Sequence, residues 1–136
     1  FVAPELKEEV PYINLSPMQN SVERLKASAT AFDDAYKKLA MGGFKISKAN
    51  NDKLDKIIYQ LEAQLTRKEG LPRRPWYRHY IYAPGYYTGY GVKTLPGVRE
   101  GIEEAKWQET QEQMVKLAEV LNNYATKLDE ATVLMP

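Results

Sequence analysis

The longest segment without helical periodicity is GLPRRPWYRHYIYAPGYYTGYGVKTLPG, residues 70–97. Its prolines fix φ and remove backbone donors, so regular structure cannot continue through it. Seven of the chain's fifteen aromatic residues lie within it, between positions 76 and 90. Disordered segments are poor in aromatic residues, whereas long irregular loops in compact domains are usually functional. We therefore predict an ordered aromatic loop over residues 70–96, with helices on both sides.

A long first helix is predicted upstream of the aromatic loop. Ser16-Pro17-Met18-Gln19 has the pattern of a capping box, in which Ser16 is the N-cap and Pro17 the first helical residue. Apolar residues then recur at steps of three and four, which places them on one helix face. They are Met18, Val22, Leu25, Phe32 and Leu39. Gly42-Gly43 is expected to end this helix.

A second long helix is expected between the glycine pair and the aromatic loop. Ser47 and Asn51 can each cap its start, and Gly70-Leu71-Pro72 is expected to stop it. Its apolar face consists of Leu54, Ile57, Ile58, Leu61 and Leu65.

Two more helices are predicted after the aromatic loop. Pro96 suits the first position of a short third helix. Extending the face of Val98 and Ile102 forward leads to Glu109 and Glu112, so a break is predicted between Ala105 and Gln108. The long last helix carries its apolar residues in one register, namely Trp107, Met114, Leu117, Leu121, Tyr124 and Leu128.

The predicted fold is all-α, a four-helix bundle of three long helices and one short helix. Residues 1–14 are expected to be an entry segment that docks through Val10, Tyr12 and Ile13, and residues 15–136 the helical domain. No strand pattern is convincing, although Tyr80-Ile81-Tyr82 can be locally extended. The loop aromatics are expected to pack over one end of the bundle.

Composition excludes several functions. With no cysteine and a single histidine, His79, the chain lacks the usual donors of a zinc site, and no catalytic constellation is visible. No apolar run is long enough to span a bilayer. The strip Arg73-Arg74-Pro75-Trp76-Tyr77-Arg78 has the character of a single-strand binding surface. A net charge of +1 argues against nucleic acid as the partner.

Small residues widen the apolar arcs of the first and last helices. Ala27 and Ala31 lie beside the first stripe, and Val115, Ala118 and Ala125 beside the last. Small side chains let another helix approach to about 8–10 Å. They are therefore expected to face either a second copy of the chain or another domain.

The aromatic loop also carries a resemblance. Its matching elements are Gly70-Leu71-Pro72, Arg74-Pro75-Trp76-Tyr77-Arg78-His79, Ile81-Tyr82-Ala83-Pro84, Tyr90 and Pro96-Gly97. In this order they resemble the C-terminal helical domain of the glutamate carboxypeptidase and transferrin-receptor family, over roughly residues 15–131. The resemblance implies a non-catalytic dimerisation domain, attached to a zinc-dependent exopeptidase domain whose ligands for two zinc ions lie upstream of Phe1.

The resemblance also implies partners and site residues. The domain would form a homodimer, contact the catalytic domain of its own chain and wall the pocket for a peptide substrate. Tyr90 matches a tyrosine that contacts the substrate carboxylate in glutamate-preferring members, whereas Gly89 replaces their lysine. The residues expected to support the loop are Trp76, Tyr77, Arg78, His79, Tyr82 and Pro84.

The departure at Gly89 removes the ammonium that would bind a carboxylate of the substrate's terminal residue, unless Lys93, Arg78 or Arg74 replaces it. We therefore expect no strong preference for C-terminal glutamate, and carboxypeptidase, aminopeptidase and dipeptidase activities stay open. One alternative is a receptor-type interaction module that has lost peptidase activity, and another is an unrelated free-standing bundle. The chain does not indicate a compartment; an extracytoplasmic location is one option for the longer protein.

Overall fold

A computed structural model of the chain describes residues 3–4, 9–87, 89 and 91–136. In these residues it contains four α-helices, one short 3-10 helix and a two-stranded sheet. The elements are α1 (Ser16–Met41), α2 (Lys48–Tyr59), the 3-10 helix (Glu62–Leu65), β1 (Tyr82–Pro84), β2 (Val92–Thr94), α3 (Pro96–Glu103) and α4 (Trp107–Thr132). The predicted all-α class with four helices is confirmed.

Helix α4 is the centre of the bundle. It packs lengthwise against α1 and also contacts α2, α3 and the 3-10 helix. Its inward face is fully buried along its length, with Met114, Leu117, Leu121, Ala125 and Leu128 among the buried residues. Because α4 has more buried residues than any other helix, the other helices are positioned by their contact with it.

The start of α1 differs from the capping-box prediction. Ser16 is already the first helical residue, and Leu15 occupies the N-cap without a side-chain hydrogen bond. The Asn14 side chain takes over part of this task, because its Oδ1 accepts from the Ser16 N–H at 3.0 Å. The C-terminal prediction is confirmed, since α1 ends at Met41 and the Gly42 N–H donates to the Lys38 carbonyl.

Helix α2 is shorter than predicted. Ser47 is its N-cap and accepts from the Asn50 N–H, but the helix ends at Tyr59 instead of continuing to Gly70. The break separates two packing environments. Leu54 packs with Ala131 near the end of α4, whereas Leu65, in the 3-10 helix, packs against the main core cluster. The bundle therefore has two long helices rather than three.

The predicted break between the last two helices is confirmed. Helix α3 ends at Glu103, and Ala105 adopts a left-handed conformation with φ of 54° before α4 begins. Gly101 lets α3 approach α4 closely, since a Cβ there would lie 2.4 Å from Thr110 Oγ1. A side chain at position 101 would push the two helices apart.

The aromatic loop contains a small hairpin that the sequence did not predict. Strands β1 and β2 pair antiparallel, with Ala83 opposite Lys93 at the centre of the register. Three loop side chains, Leu71, Tyr80 and Ala83, join the main core cluster with α4. The loop is therefore anchored in the bundle rather than laid over its end.

The entry segment docks through fewer residues than expected. Ile13 packs against the main core cluster, whereas Val10 and Tyr12 are exposed. Asn14 and Gln111 exchange two hydrogen bonds, of 2.7 and 3.0 Å, which attach the beginning of the helical domain to α4.

Candidate functional site

One tyrosine of the aromatic loop is buried. Tyr80 is only 2% exposed, and its hydroxyl donates to the Gly70 carbonyl at 2.9 Å. Burial raises the pKa of Tyr80 to about 12, so the phenol stays protonated and keeps donating. The Tyr80 backbone N–H donates to the Leu65 carbonyl, which ties the loop to the 3-10 helix. Tyr80 is therefore an anchor of the loop and not a surface group.

A buried ion pair connects three parts of the loop region. Arg74 and Glu100 are 3% and 6% exposed, and Arg74 Nη2 donates to Glu100 Oε1 on α3. The other terminal nitrogen, Nη1, donates to the carbonyl of Pro84 at the end of β1. The rings of Tyr77 and Tyr86 lie 5.6 and 5.7 Å from the guanidinium carbon. One side chain therefore links the turn at residues 71–74, the end of β1 and helix α3.

The hairpin tip, residues 85–91, follows directly after this link. Within it, the Gly85 N–H donates to the Gly91 carbonyl at 2.9 Å, and the Gly89 N–H donates to the Gly85 carbonyl at 3.0 Å. Gly89 is exposed with φ of 66°, and an added Cβ would have no described atom within 4 Å. Tyr90, the predicted substrate contact, lies outside the described residues.

The ring of His79 is held in place by backbone N–H groups of the loop. Its Nδ1 accepts from the N–H groups of Ile81 and Tyr82 at 3.2 and 3.3 Å. Burial lowers the pKa of His79, and the nearby Glu62 carboxylate opposes this shift only in part. Protonating Nδ1 would place a hydrogen against two donors, so the neutral ring fits this geometry best.

The other predicted support residues divide into two groups. Tyr82 stacks on His79 with ring centroids 4.1 Å apart and donates to Glu62 at 2.6 Å, and Pro84 accepts from Arg74. In contrast, Trp76 is 70% exposed, Tyr77 is partly exposed, and the Arg78 side chain points to solvent. Tyr86 and Tyr87 are exposed as well. The expectation that the loop aromatics form a core over the bundle end is therefore wrong for most of them.

Glu100 is a functional candidate that the sequence reasoning missed. The expected inward face of α3 was Val98 and Ile102, but Ile102 is half exposed while Glu100 is buried beside Gly101. Gly97 and Gly101, four residues apart, mark the close-packed face. That spacing was a usable signal, although only the tertiary structure pairs Glu100 with Arg74.

The cations considered as substitutes for the missing lysine are mostly engaged. Arg74 is buried with Glu100, and Lys93 pairs with Glu103, whose pKa is lowered by that hydrogen bond. Arg78 has no ion-pair partner within the described part of the chain. Arg73 binds Glu109 through two hydrogen bonds of 2.7 and 3.2 Å. The basic strip is thus largely neutralised, which further weakens the nucleic-acid interpretation.

The described residues do not fit a zinc site. They contain no group of three or more histidine, aspartate or glutamate side chains arranged to hold a metal ion. His79 Nδ1 is already occupied by two backbone donors. In the same residues, no helix combines the length and the apolar character needed to cross a membrane.

Two kinds of comparison identify relatives of the chain. The sequence profile of the transferrin receptor-like dimerisation domain matches residues 13–129. A probable glutamate carboxypeptidase, LAMP1, of Arabidopsis thaliana is 31% identical over 118 residues, which cover 82% of this chain and 16% of that protein. A probable glutamate carboxypeptidase of Arthroderma benhamiae is 56% identical over 34 residues, 25% of this chain and 5% of that protein.

The chain spans only a small part of these relatives, at most 16% of their length. The profile match, by contrast, runs from the end of the entry segment almost to the end of α4. It includes α1, α2, α3, most of α4 and the whole aromatic loop. This chain belongs to the transferrin receptor-like dimerisation domain family.

Proposed function

We propose that the chain is the non-catalytic, self-associating part of a longer exopeptidase of the glutamate carboxypeptidase type, and that its aromatic loop completes the substrate pocket. The observation that carries this proposal is its similarity, over most of its own length, to a much longer protein named as a probable glutamate carboxypeptidase. The zinc ions and their ligands would belong to a catalytic domain outside this chain. Residues 15–136 would form the appended domain, with residues 1–14 as its entry.

The hairpin tip is the part of the loop that suits contact with a substrate. It joins β1 to β2, its base is held by Arg74, and Tyr86 and Tyr87 within it expose their rings. In the proposed pocket, Tyr90 donates its phenolic hydrogen to the carboxylate of the substrate. A neutral donor contributes about 0.5–1.5 kcal/mol, less than a cation would.

Gly89 bears on substrate choice. At this position the glutamate-preferring members of the family are expected to supply an ammonium, and glycine cannot. Of the three substitutes, Arg74 and Lys93 are paired with carboxylates in the described structure. We therefore propose that the enzyme does not strongly prefer peptides ending in glutamate.

The experiment compares the full-length protein with its Gly89→Lys and Gly89→Ala variants on peptides ending in Glu and in Ala. A charge-assisted hydrogen bond contributes about 1.5–3 kcal/mol, so Gly89→Lys should raise the Glu-over-Ala ratio of kcat/KM roughly tenfold or more. Gly89→Ala is the matched control, because both variants bear the strain of a side chain at φ of 66°, about 1–2 kcal/mol. Equal ratios in all three proteins would contradict the assignment of the tip to the pocket.

Self-association is tested separately, on the 136-residue chain. The outward face of α1 leaves Val22 half exposed and Ala27 and Ala31 exposed, so it is open to another helix. In contrast, Ala118 and Ala125 of α4 are buried by the chain's own helices. Light scattering over a wide concentration range should give the mass of a dimer. A monomer at every concentration would contradict autonomous dimerisation.

The alternative function is a receptor-type interaction module without peptidase activity. The two relatives above are named as probable glutamate carboxypeptidases, which favours the peptidase. Metal analysis of the full-length protein, combined with a peptide hydrolysis assay, separates the two. Absence of both bound metal and hydrolysis would favour the receptor-type module.

A further inference from the structure

We propose that Arg74 and Glu100 are a positioning pair. Their contact fixes the distance between the hairpin tip and helix α3, and at this distance the tip contacts the substrate. This inference rests on the proposed pocket-completing function. It concerns a pair that contacts the chain at the base of the tip and acts through it.

The geometry of Arg74 is the first support. The residue sits in the turn at residues 71–74, where its N–H donates to the Leu71 carbonyl at 3.1 Å. From there its guanidinium reaches the Pro84 carbonyl and the Glu100 carboxylate with different terminal nitrogens. The planar fork of arginine suits such a two-partner link, which a lysine ammonium on a flexible stem does not reproduce. The guanidinium thus sets the position of the last β1 residue relative to α3.

Burial is the second support. Both side chains are excluded from solvent, and Arg74 Nε has no hydrogen-bond partner among the described residues. A buried ion pair contributes little net stability compared with apolar residues of the same volume, but it permits few alternative arrangements. The pair is therefore better explained as a geometric constraint than as a source of stability.

The position of the pair in the chain is the third support. The segment between its two anchor points, Pro84 and Glu100, contains the entire tip, β2 and the beginning of α3. The strand pairing that closes the tip is short, three residues on each side. So short a hairpin is marginally stable by itself. An additional contact at the base of the hairpin would therefore limit the movement of the tip.

The first arm of the test measures the tip itself, in the 136-residue chain. Hydrogen exchange is followed at the Gly85, Gly89 and Leu95 amides, with Ala125 in α4 as the internal reference. Glu100→Gln and Arg74→Lys should each accelerate exchange at the loop amides by about tenfold and leave Ala125 unchanged. Arg99→Gln is the matched control, because Arg99 is the preceding residue of α3 and its pair with Glu103 is exposed. Unchanged loop exchange in both variants would overturn the proposal.

A second variant covers the case in which a lone buried charge prevents folding. The double substitution Arg74→Met with Glu100→Leu removes both charges and leaves neither unpaired. It should fold, as judged by protection of Ala125, while the loop amides exchange faster than in the parent chain. A folded double variant with a fully protected loop would overturn the proposal.

The second arm measures peptide hydrolysis by the full-length protein. A looser tip should raise KM about fivefold in Arg74→Lys and leave kcat within about twofold, since the reacting groups are elsewhere. Accelerated loop exchange with unchanged KM would show that the pair holds the tip but that the tip does not touch substrate, which overturns the role in the reaction and the proposed pocket together. Unchanged loop exchange would overturn only the positioning pair.

Discussion

The core around α4 and the aromatic loop use their large side chains in opposite ways. Along α4, apolar residues such as Leu117 and Val120 are almost completely buried against α1 and the loop. In the loop, most of the aromatic rings face solvent, with Tyr87 at 77% exposed. The loop keeps its shape through Tyr80, backbone hydrogen bonds and the Arg74–Glu100 pair. Most of the aromatic residues here therefore form an exposed surface, and the loop is ordered by polar contacts together with the burial of Leu71, Tyr80 and Ala83.

The largest effect that this comparison predicts is in the core. Leu117 is 1% exposed, so Leu117→Ala should lower the free energy of unfolding by about 2–5 kcal/mol, through lost burial and a cavity. Trp76→Ala removes a larger but exposed side chain and should change the free energy of unfolding by less than about 0.5 kcal/mol. Urea unfolding of the 136-residue chain measures both. Similar losses in the two variants would remove the distinction between the regions.

A smaller effect is expected at the anchor of the loop. Tyr80→Phe keeps the ring but leaves the buried Gly70 carbonyl without its donor, which should cost about 1–3 kcal/mol. Tyr82→Phe is the control, because its hydroxyl donates to Glu62 at the surface and its loss should cost under about 1 kcal/mol. The same urea titration compares them. A Tyr82→Phe loss as large as that of Tyr80→Phe would mean that burial does not decide which tyrosine anchors the loop.

The smallest effect is a pH dependence from His79. Its pKa in the folded chain is lowered by burial, so between that value and the ordinary value of 6.5 the unfolded chain binds more protons. Stability should therefore be complete above about pH 6.5 and decline as the pH falls from there toward the folded pKa. His79 is the chain's single histidine, so His79→Gln should flatten this part of the profile.

Urea midpoints measured from pH 7.5 down to pH 5.5 test the sign. A midpoint that rises as the pH falls would mean that the Glu62 carboxylate, which favours the charged ring, outweighs burial. A slope that persists in His79→Gln would assign the effect to carboxylates instead.

Many of the sequence predictions were correct because they depend on the local chemistry of the backbone. Pro96 opens α3, Gly42 follows the end of α1, and the mismatch of phase near Ala105 marks the break before α4, all as predicted. Each of these depends on the backbone preferences of a few neighbouring residues. The start of α1 was displaced by one residue because Asn14, not Ser16, supplies the side-chain acceptor.

The predictions were wrong where long-range contacts determine the local structure. Helix α2 stops at Tyr59 because Leu54 and Leu65 pack against different parts of the core, although their spacing fits one helix face. The hairpin of β1 and β2 was not predicted because strands of three residues are too short to show an alternating pattern. For the site, the motif residues predicted the loop, whereas the role of Glu100 depends on its meeting with Arg74 across 26 positions.

The helical class, most helix boundaries, the ordered loop and, through the motifs, the family could all be predicted from the amino-acid sequence. These depend on local conformational preference and on the spacing of apolar residues, both of which are properties of short segments. Three features required the three-dimensional structure: which aromatic side chain is buried, where α2 ends, and that Arg74 joins Pro84 to Glu100. Those features depend on which distant segments exclude water from one another. The sequence pattern within one short segment does not show which other segment it will pack against.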